Sequence, residues 1–567
     1  MARQTQGHVL SVKIRVNPWQ KMDGNKNGLL FQLIICVIQK YLLPLHSNIQ
    51  FDLIMKYPIG IQNFEKLRSE GYVYVDKTPQ MWKMISEGCY YFLSRPRRFG
   101  KSLMVSTMEA FFSGKRELFK GLFVDSVEWD WKQYPIMHLD LNVEKYTTPD
   151  ALDNILDAQL SLWEKMYGRE DFEKSFGARF MGVIRRAFEK TGLPVVILVD
   201  EYDKPMLQAI GNEALQAEYR ATLKLFYGVL KSCDRYIKFA FLTGVTKFGK
   251  VSVFSDLNNL IDLSLDHRYT AICGISEKEL HDYFDESVGA LAEANSMTKE
   301  ECYEQLCFDF DGYHFDVGAP GMYNPFSVLN TLSSCRFRDY WFETGTPSFL
   351  VYQLQKTNYP LEMMTREELF EDTLNSIDVM DENPLPLLYQ SGYLTIKDYD
   401  SRFGTYLLGF PNREVEEGFI KYLIPFYSPN KVEKPQMFIA NFVKDVEQGH
   451  AESFMQRTER FFDGGDYQVA GKAELYFQNT LWVLFKLLGL YVDVECHTTD
   501  GRMDILVQTS HFVYILELKI DQSADIALRQ IEEKHYAKPF EGDGRTVYKI
   551  GVNFSSETRR MTEWKVS

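Results

Sequence analysis

The sequence lacks the features of disulfide-stabilised, zinc-ribbon and membrane-spanning proteins. Its eight cysteines, spread over 567 residues, include no C-x-x-C pair, so neither a disulfide framework nor a zinc knuckle is predicted. No run reaches the roughly 18 apolar residues that a membrane-spanning helix needs. These absences favour a protein of a reduced, cytoplasmic compartment that has no membrane partner.

The sequence also has no excess of positive charge. Its formal net charge of −15 argues against a protein that coats nucleic acid without selectivity, although a local basic groove is still compatible with this total. Internal repeats and low-complexity tracts are absent too. At roughly 100–200 residues per domain, the length predicts about three to four domains.

Residues 1–54 do not match the pattern that follows them. Their apolar run at 29–38 is short and is followed by Gln39 and Lys40. No small-residue cleavage site follows, so a signal peptide is disfavoured as well. We expect residues 1–54 to be a non-conforming N-terminal extension and Met55 to be the natural start.

The stretch that organises the chain is RPRRFGKS at 95–102, which follows an apolar run at 90–93. This order predicts a strand, a tight loop and a helix over 103–112, with backbone N–H groups facing a phosphate. Lys101 would reach the β- and γ-phosphate oxygens, and Ser102 would hold Mg²⁺. Arg95 stands where the usual G-x-x-x-x-G-K-[ST] pattern has its first glycine, and Gly-Lys-Ser also occurs by chance in surface loops.

A second motif supports a nucleotide site. The aliphatic residues 195–199 predict a strand buried on both faces of a parallel sheet. Asp200 and Glu201 follow it, where ligands bind in such sheets. Asp200 would contribute to the coordination shell of Mg²⁺, and Glu201 would polarise the attacking water. Alternatively, the two carboxylates only cap the turn after the strand.

Other segments complete a predicted α/β domain. Residues 72–78 and 136–141 read as strands, the second of which could lie beside the strand at 90–93. A further buried strand at 237–244 ends at Thr243 and Gly244. Ser276 and Glu279 form a capping box that opens a helical lid.

Near the C-terminus, two strands are predicted at 503–508 and 512–520, after an amphipathic helix at 471–488. If residues 510 and 511 form a two-residue turn, Asp504 lies directly across from Glu517. Period-2 alternation places Glu517 and Lys519 on one strand face. The alternative is an ordinary salt bridge on a sheet, but an unpaired charge in such an apolar strand is costly.

Several segments resemble the AAA-ATPase-like family of bacteria, whose members commonly carry a C-terminal PD-(D/E)xK nuclease-like domain. The RPRRFGKS form without the first glycine is the family's own pattern. The segments that carry the resemblance are 57–60, 75–78, 95–102, 198–203, 274–280, 312–315 and 323–326. Residues 392–394 resemble the family's linker region, and we assign them no chemistry.

The resemblance implies roles for particular residues. ATP and Mg²⁺ would be bound by Arg97, Arg98, Gly100, Lys101, Ser102, Asp200 and Thr243, with Thr243 facing the γ-phosphate or its water. In the C-terminal D…E-x-K pattern, Asp504 and Glu517 would bind Mg²⁺, Glu474 would complete the metal shell, and Lys519 would position water. Gln530 matches a helix glutamine of the nuclease superfamily.

The sequence thus predicts an α/β protein with two chemical domains. The expected divisions are the extension at 1–54, a P-loop AAA-like ATPase core at 55–265, a helical lid at 266–345, a linker module at 346–445 and a PD-(D/E)xK nuclease-like domain at 446–567. The predicted function combines ATP binding and hydrolysis with Mg²⁺-dependent cleavage of DNA or RNA. The sequence is compatible with an oligomer as well as with a monomer. The alternative is a signalling or defence ATPase, or a nucleotide-binding scaffold, whose nuclease-like domain is inert.

Overall fold

A computed structural model describes residues 55–247, 253–254, 257, 259–342, 348–375, 383–427, 435–462, 473–489, 493–499 and 502–567. The predicted extension at 1–54 lies outside the described residues. From Lys56 to Ser567 the chain forms one compact unit. Among the described helices, none combines the length and the apolar character needed to cross a bilayer.

The N-terminal part is built on a five-stranded parallel sheet in the order β2-β3-β4-β1-β5. Because β1 and β3 are buried along their whole length, they read in the sequence as unbroken apolar runs. The expectation that β2 lies beside β1 is wrong, since β3 and β4 separate them. The strands are β1 Tyr90–Ser94, β2 Ile136–Asp140, β3 Val195–Asp200, β4 Ile237–Gly244 and β5 Ile261–Asp262.

Helices cover this sheet. They are α1 Phe64–Ser69, α2 Thr78–Glu87, α3 Lys101–Phe112, α4 Asp150–Tyr167, α5 Phe176–Thr191, α6 Lys204–Gln208 and α7 Glu213–Ser232. The predicted strand at 72–78 is wrong: the backbone before α2 is irregular. Asp76 explains this, because its carboxylate accepts hydrogen bonds from Thr78 N at 2.9 Å and Phe123 N at 2.7 Å, which hold the segment as the entry to α2.

A helical lid follows, made of β6 Ile275–Ser276, α8 Glu277–Ala294, α9 Lys299–Phe310, β7 Met322–Tyr323 and α10 Pro325–Ser334. The predicted capping box is present, since Ser276 and Glu279 satisfy each other's backbone N–H groups. Glu279 also forms an ion pair with Lys77 at 2.7 Å. The lid is therefore fixed to the segment that precedes α2.

A linker region connects the lid to the C-terminal part. Its elements are α11 Ser348–Lys356, β8 Glu368–Phe370, α12 Glu371–Asn375, α13 Leu385–Gln390, β9 Thr395–Asp400, β10 Thr405–Gly409, α14 Arg413–Tyr427, α15 Pro435–Glu447 and α16 Ala451–Phe462. Strands β8, β10 and β9 form a small antiparallel sheet.

The C-terminal part is a mixed five-stranded sheet in the order β11-β12-β13-β14-β15, with β13 and β14 parallel. The predicted register is confirmed: Asp504 on β12 pairs with Glu517 on β13. Thr509 N donates to Phe512 O at 2.9 Å, which closes the turn at residues 510 and 511. The elements are α17 Ala473–Gly489, β11 Asp493–Thr499, β12 Arg502–Gln508, β13 Phe512–Ile520, α18 Ala524–Glu533, β14 Thr546–Ser555 and β15 Arg560–Val566.

One buried carboxyl group on α14 joins the linker to the lid. Glu414 accepts hydrogen bonds from Ser327 Oγ at 2.6 Å and from the backbone N of Trp341 at 2.7 Å. Because this side chain is only 1% exposed, burial raises its pKa to about 8. The folded protein therefore keeps a proton on Glu414 that the unfolded chain releases above its ordinary pKa of 4.5.

This proton predicts a pH-dependent stability difference. Since the folded state binds the extra proton, its contribution is present below the ordinary pKa and is lost as the pH rises toward the raised one. We expect Glu414→Gln to gain stability relative to the parent protein by up to about 1.4 kcal/mol per pH unit in this window. Urea unfolding at several pH values measures this, with the exposed Glu293→Gln as control. A difference that does not vary with pH would contradict the expectation.

Candidate functional site

The loop between β1 and α3 passes through left-handed backbone at two residues. Arg98 has φ +66° and Gly100 has φ +99°, after which α3 begins at Lys101. The first backbone N–H groups of a helix have no partner within it. Together with the side chains of Arg97, Arg98, Lys101 and Ser102, this end of α3 lines a cavity of about 540 Å³.

Arg95, which replaces the usual first glycine, turns its side chain away from this cavity. Its guanidinium donates to the carbonyl oxygens of Ser94 at 3.0 Å, Ser264 at 2.9 Å and Tyr269 at 3.3 Å. It also lies 3.8 Å above the centre of the Phe315 ring. Burial lowers its pKa to about 10. The backbone of Arg95 has no positive φ, so this loop does not require glycine there.

Lys101 is buried beneath the loop, with 4% of its side chain exposed. Its Nζ donates to the carbonyl oxygens of Arg95 at 3.0 Å and Pro96 at 3.2 Å. Glu201 Oε1 lies 3.8 Å from the same ammonium. The structure therefore brings the predicted phosphate-binding lysine and the predicted water-polarising carboxylate together.

Asp200 and Ser102 also meet. Burial, and next the charge of Glu201, raise the pKa of Asp200 to about 6, while a hydrogen bond with the Ser102 hydroxyl opposes the rise. Glu201 has φ +55°, and its backbone N donates to Asp200 Oδ1 at 3.1 Å. Ser102 lines the cavity, and its hydroxyl together with the neighbouring Asp200 carboxylate supplies the kind of oxygen ligands that Mg²⁺ prefers.

The structure does not bring Thr243 to the cavity. Its side chain is fully buried, and its hydroxyl donates to Leu93 O at 2.9 Å inside the sheet. The residue of this strand end that lines the cavity is Val245. The role of Thr243 as a γ-phosphate contact stays a prediction, and in this structure its hydroxyl is bonded to the Leu93 carbonyl of β1.

The lid and the linker also contribute walls to the cavity, which the sequence did not predict. Trp341 Nε1 donates to Arg97 O at 3.1 Å, and the Arg98 guanidinium lies 4.7 Å from the centre of the Phe326 ring. Ser391 and Tyr393 line the cavity as well. Between them, Gly392 packs against Pro96 of the loop. The only signal in the sequence was the resemblance of residues 392–394 to a family linker.

A second cluster lies in the C-terminal sheet. Lys519 Nζ donates to the Glu517 carboxylate and, at 2.8 Å, to Gln530 Oε1 on α18. Glu517 is 0% exposed and Lys519 is 5% exposed. The backbone of Asp504 pairs with that of Glu517, and Glu474 lies in the first turn of α17. The side chains of Asp504 and Glu474 lie outside the described residues.

Comparison with known proteins identifies both regions. A family model described as "Predicted AAA-ATPase" matches residues 58–254, and a model of the PD-(D/E)XK nuclease superfamily matches residues 472–564. An uncharacterized protein in the vnfD 5′ region of Azotobacter chroococcum mcd 1 is 33% identical over 525 residues, covering 90% of this chain and 98% of that protein. The chain belongs to the AAA-ATPase-like family.

The predicted AAA-ATPase-like identity, with its C-terminal PD-(D/E)XK nuclease superfamily domain, is therefore confirmed, as is the α/β fold. The first matched segment contains the loop at 95–102 together with Asp200 and Glu201. The second contains Glu474, Asp504, Glu517, Lys519 and Gln530. The boundaries of the lid and linker domains stay predictions.

The C-terminal cluster of this AAA-ATPase-like protein fits a divalent cation by its chemistry. Carboxylate oxygens are the preferred ligands of Mg²⁺, and the strand register places Asp504 opposite Glu517. A buried lysine and carboxylate are costly unless each is well hydrogen-bonded, and Gln530 contributes such a bond to Lys519. Glu517 with Asp504 and Glu474 would hold the cation.

The close approach of Gly392 to Pro96 predicts a stability effect. A Cβ on Gly392 would lie 2.6 Å from Pro96 Cβ, and the residue has φ +87°. We expect Gly392→Ala to lower the free energy of unfolding by about 1–3 kcal/mol more than a left-handed glycine without such a contact. Gly404→Ala is the matched control, since Gly404 has φ +70° and a Cβ added there would lie 4.0 Å from the Tyr399 hydroxyl oxygen. Equal losses in urea unfolding would contradict this packing argument.

Proposed function

We propose that the protein binds Mg·ATP in the cavity at the end of the parallel sheet and hydrolyses it. The observation that carries this proposal is the convergence of Lys101, Ser102, Asp200 and Glu201. Lys101 Nζ lies 3.8 Å from Glu201 Oε1, and the Ser102 hydroxyl is close enough to Asp200 to oppose the rise in the pKa of that carboxyl group. A cation, a hydroxyl and two carboxylates in this arrangement match the needs of phosphoryl transfer, which depends on positioning and on charge stabilisation.

Each residue has a role in this proposal. Lys101 and the N–H groups that begin α3 bind the β- and γ-phosphates, with Arg97, Arg98 and Gly100 completing the phosphate contacts. Ser102 and Asp200 hold Mg²⁺, which offsets phosphate charge when bound. Glu201 accepts a hydrogen bond from the attacking water and then its proton.

A second, apolar cavity of about 90 Å³ supports binding of the nucleoside. It adjoins the first and shares Pro58, Gly100, Leu103, Pro325 and Leu329 with it. Apolar walls beside convergent polar groups are typical of sites for flat organic ligands. The adenine ring is the part of ATP that such walls accommodate.

Two substitutions test the ATPase proposal. We expect Lys101→Ala to weaken ATP binding by at least about tenfold, because it removes a charge-assisted contact. We expect Glu201→Gln to bind ATP but to hydrolyse it about 10²–10⁴-fold more slowly, since only proton transfer is lost. Calorimetry measures binding and phosphate release measures turnover, with the exposed Lys231→Ala as control. Unchanged turnover in both variants would overturn the proposal.

We propose further that the C-terminal domain is a metal-dependent nuclease that acts on phosphodiesters of DNA or RNA. The buried pair of Glu517 and Lys519, with Gln530 bonded to the lysine and Asp504 paired with Glu517 through the backbone, supports this. Asp504, Glu517 and Glu474 would hold Mg²⁺, which activates water when bound. Lys519 positions that water and stabilises charge on the phosphate, and Gln530 holds the lysine in place.

Cleavage of labelled DNA and RNA tests the nuclease proposal. We expect Mg²⁺-dependent cleavage that Lys519→Ala lowers by about 10²-fold or more, because the charge on the phosphate loses its partner. The exposed Lys534→Ala is the matched control. The measured quantity is the rate of fragment formation with Mg²⁺, Mn²⁺ or a chelator.

A second candidate function is an ATPase or nucleotide-binding scaffold with an inert nuclease-like domain. The observation that favours it is that the Lys519 ammonium already donates to both Glu517 and Gln530, as in a purely structural salt bridge. No cleavage under any metal condition, from a protein that binds ATP, would decide for this candidate.

We propose finally that the linker transmits the nucleotide state to the nuclease-like domain. On one side, Trp341 contacts Arg97 of the loop, and its backbone N donates to Glu414 on α14. On the other side, α14 packs against α17, where Glu416 forms an ion pair with Lys486 at 3.2 Å. One helix thus contacts the surroundings of both sites.

A further inference from the structure

A second lysine lies at the edge of the nucleotide cavity, at the start of α6. Lys204 follows Asp203, whose fully buried carboxylate accepts hydrogen bonds from Val245 N at 3.2 Å, Thr246 N at 2.6 Å and Thr246 Oγ1 at 2.7 Å. This anchoring ties the turn after β3 to the end of β4. The backbone of Lys204 is therefore held in a fixed place beside Glu201.

The ammonium of Lys204 is held by neutral groups. Its Nζ donates to Asn142 O at 2.7 Å and to Asn142 Oδ1 at 2.6 Å. In the part of the chain that the structure describes, no carboxylate oxygen lies within 4 Å of it. Burial lowers the pKa of Lys204 and the nearby Arg97 charge lowers it further, while Glu201 and Asp140 oppose the shift. An anion in the cavity would give the ammonium a direct ionic contact.

Lys204 and Lys101 line the same cavity as Glu201, and they belong to different parts of the sheet edge. In the sheet, β3 lies between β2, which leads into Asn142, and the pair β4 and β1, which leads into the phosphate-binding loop. Lys101 belongs to the loop side, where its ammonium is bound to loop carbonyls. Lys204 belongs to the β2 side, with Glu201 and Asn142. A triphosphate seated on the loop would extend its terminal group toward Glu201 and hence toward Lys204.

We propose that Lys204 is a catalytic residue that contacts the γ-phosphate of ATP from within the same chain. The inference rests on the proposed ATPase function and deepens it. In the hydrolysis step, the water oxygen forms a bond to the γ-phosphorus, and the bond from this phosphorus to the β–γ bridging oxygen breaks. The electron pair stays on the ADP oxygen, and the water proton passes to Glu201. Lys204 exchanges no proton and stabilises the charge on the γ-phosphate oxygens.

Asn142 is a positioning residue for the Lys204 ammonium. Its two acceptors fix the direction of the Lys204 ammonium, and its own backbone N donates to Asp140 Oδ1 at 2.7 Å. The cation is thus oriented before the nucleotide arrives, so little reorganisation is needed when charge develops.

The test compares nucleotides that differ in the γ-phosphate. Binding of ATPγS and of ADP, each with Mg²⁺, is measured by calorimetry for the full chain and for Lys204→Ala. We expect the variant to lose about tenfold or more in affinity for ATPγS but less than about threefold for ADP, because the lost contact is to the γ-phosphate alone. ATP hydrolysis should fall by about 10²-fold or more, and Lys204→Arg should recover part of both losses.

The controls separate the possible failures. Lys231→Ala should match the parent protein, and Lys204→Gln, which keeps donors for Asn142, should repeat the selective loss if Lys204→Ala folds poorly. Equal weakening for ATPγS and ADP, or no weakening, overturns the role of Lys204 while the ATPase proposal stands. A parent protein that binds neither nucleotide overturns the ATPase proposal and this inference together.

Discussion

The burial of one guanidinium beneath the loop at 95–102 is the constraint on which the cavity depends. A buried cation is costly unless it is hydrogen-bonded, and Arg95 donates from Nη1 and Nη2 to three backbone carbonyls while its guanidinium packs on Phe315. These contacts join the loop to the chain after β5 and to the lid. The Arg95 carbonyl in turn accepts from Lys101. The residue that breaks the usual glycine pattern is therefore the one that fixes the loop.

The linker contacts both the loop beside the cavity and the first helix of the nuclease-like domain. Gly392 of the linker and Trp341 of the lid contact the loop at 95–102, and the buried Glu414 joins Trp341 to α14 of the linker. On α17, Asn479 accepts a hydrogen bond from Leu361 N at 2.9 Å and donates one to Tyr359 O at 3.0 Å. The linker is therefore also hydrogen-bonded to the first helix of the nuclease-like domain. A continuous series of packed contacts therefore connects the loop at 95–102 with α17.

The sequence correctly predicted features that depend on local pattern. It did not predict features that depend on contacts between residues distant in the chain. The buried runs of β1 and β3, the Ser276–Glu279 capping box and the pairing of Asp504 with Glu517 all follow from periodicity or register. The neighbour of β2 did not, because an apolar strand carries no mark of its partner. The side-chain directions of Thr243 and Arg95 could not be predicted, since they depend on contacts with Leu93 of β1 and with Phe315. Lys204 and Asn142 were missed because β2 and β3 bring them together from far apart in the chain.

We propose that nucleotide binding and nucleic acid cleavage are coupled through the linker. The most direct test measures cleavage of labelled DNA and RNA with and without ATP, by the full chain and by Lys101→Ala. We expect ATP to change the cleavage rate of the parent protein and to leave that of the variant unchanged. A variant that loses ATP turnover but keeps both cleavage and its ATP dependence would contradict the coupling.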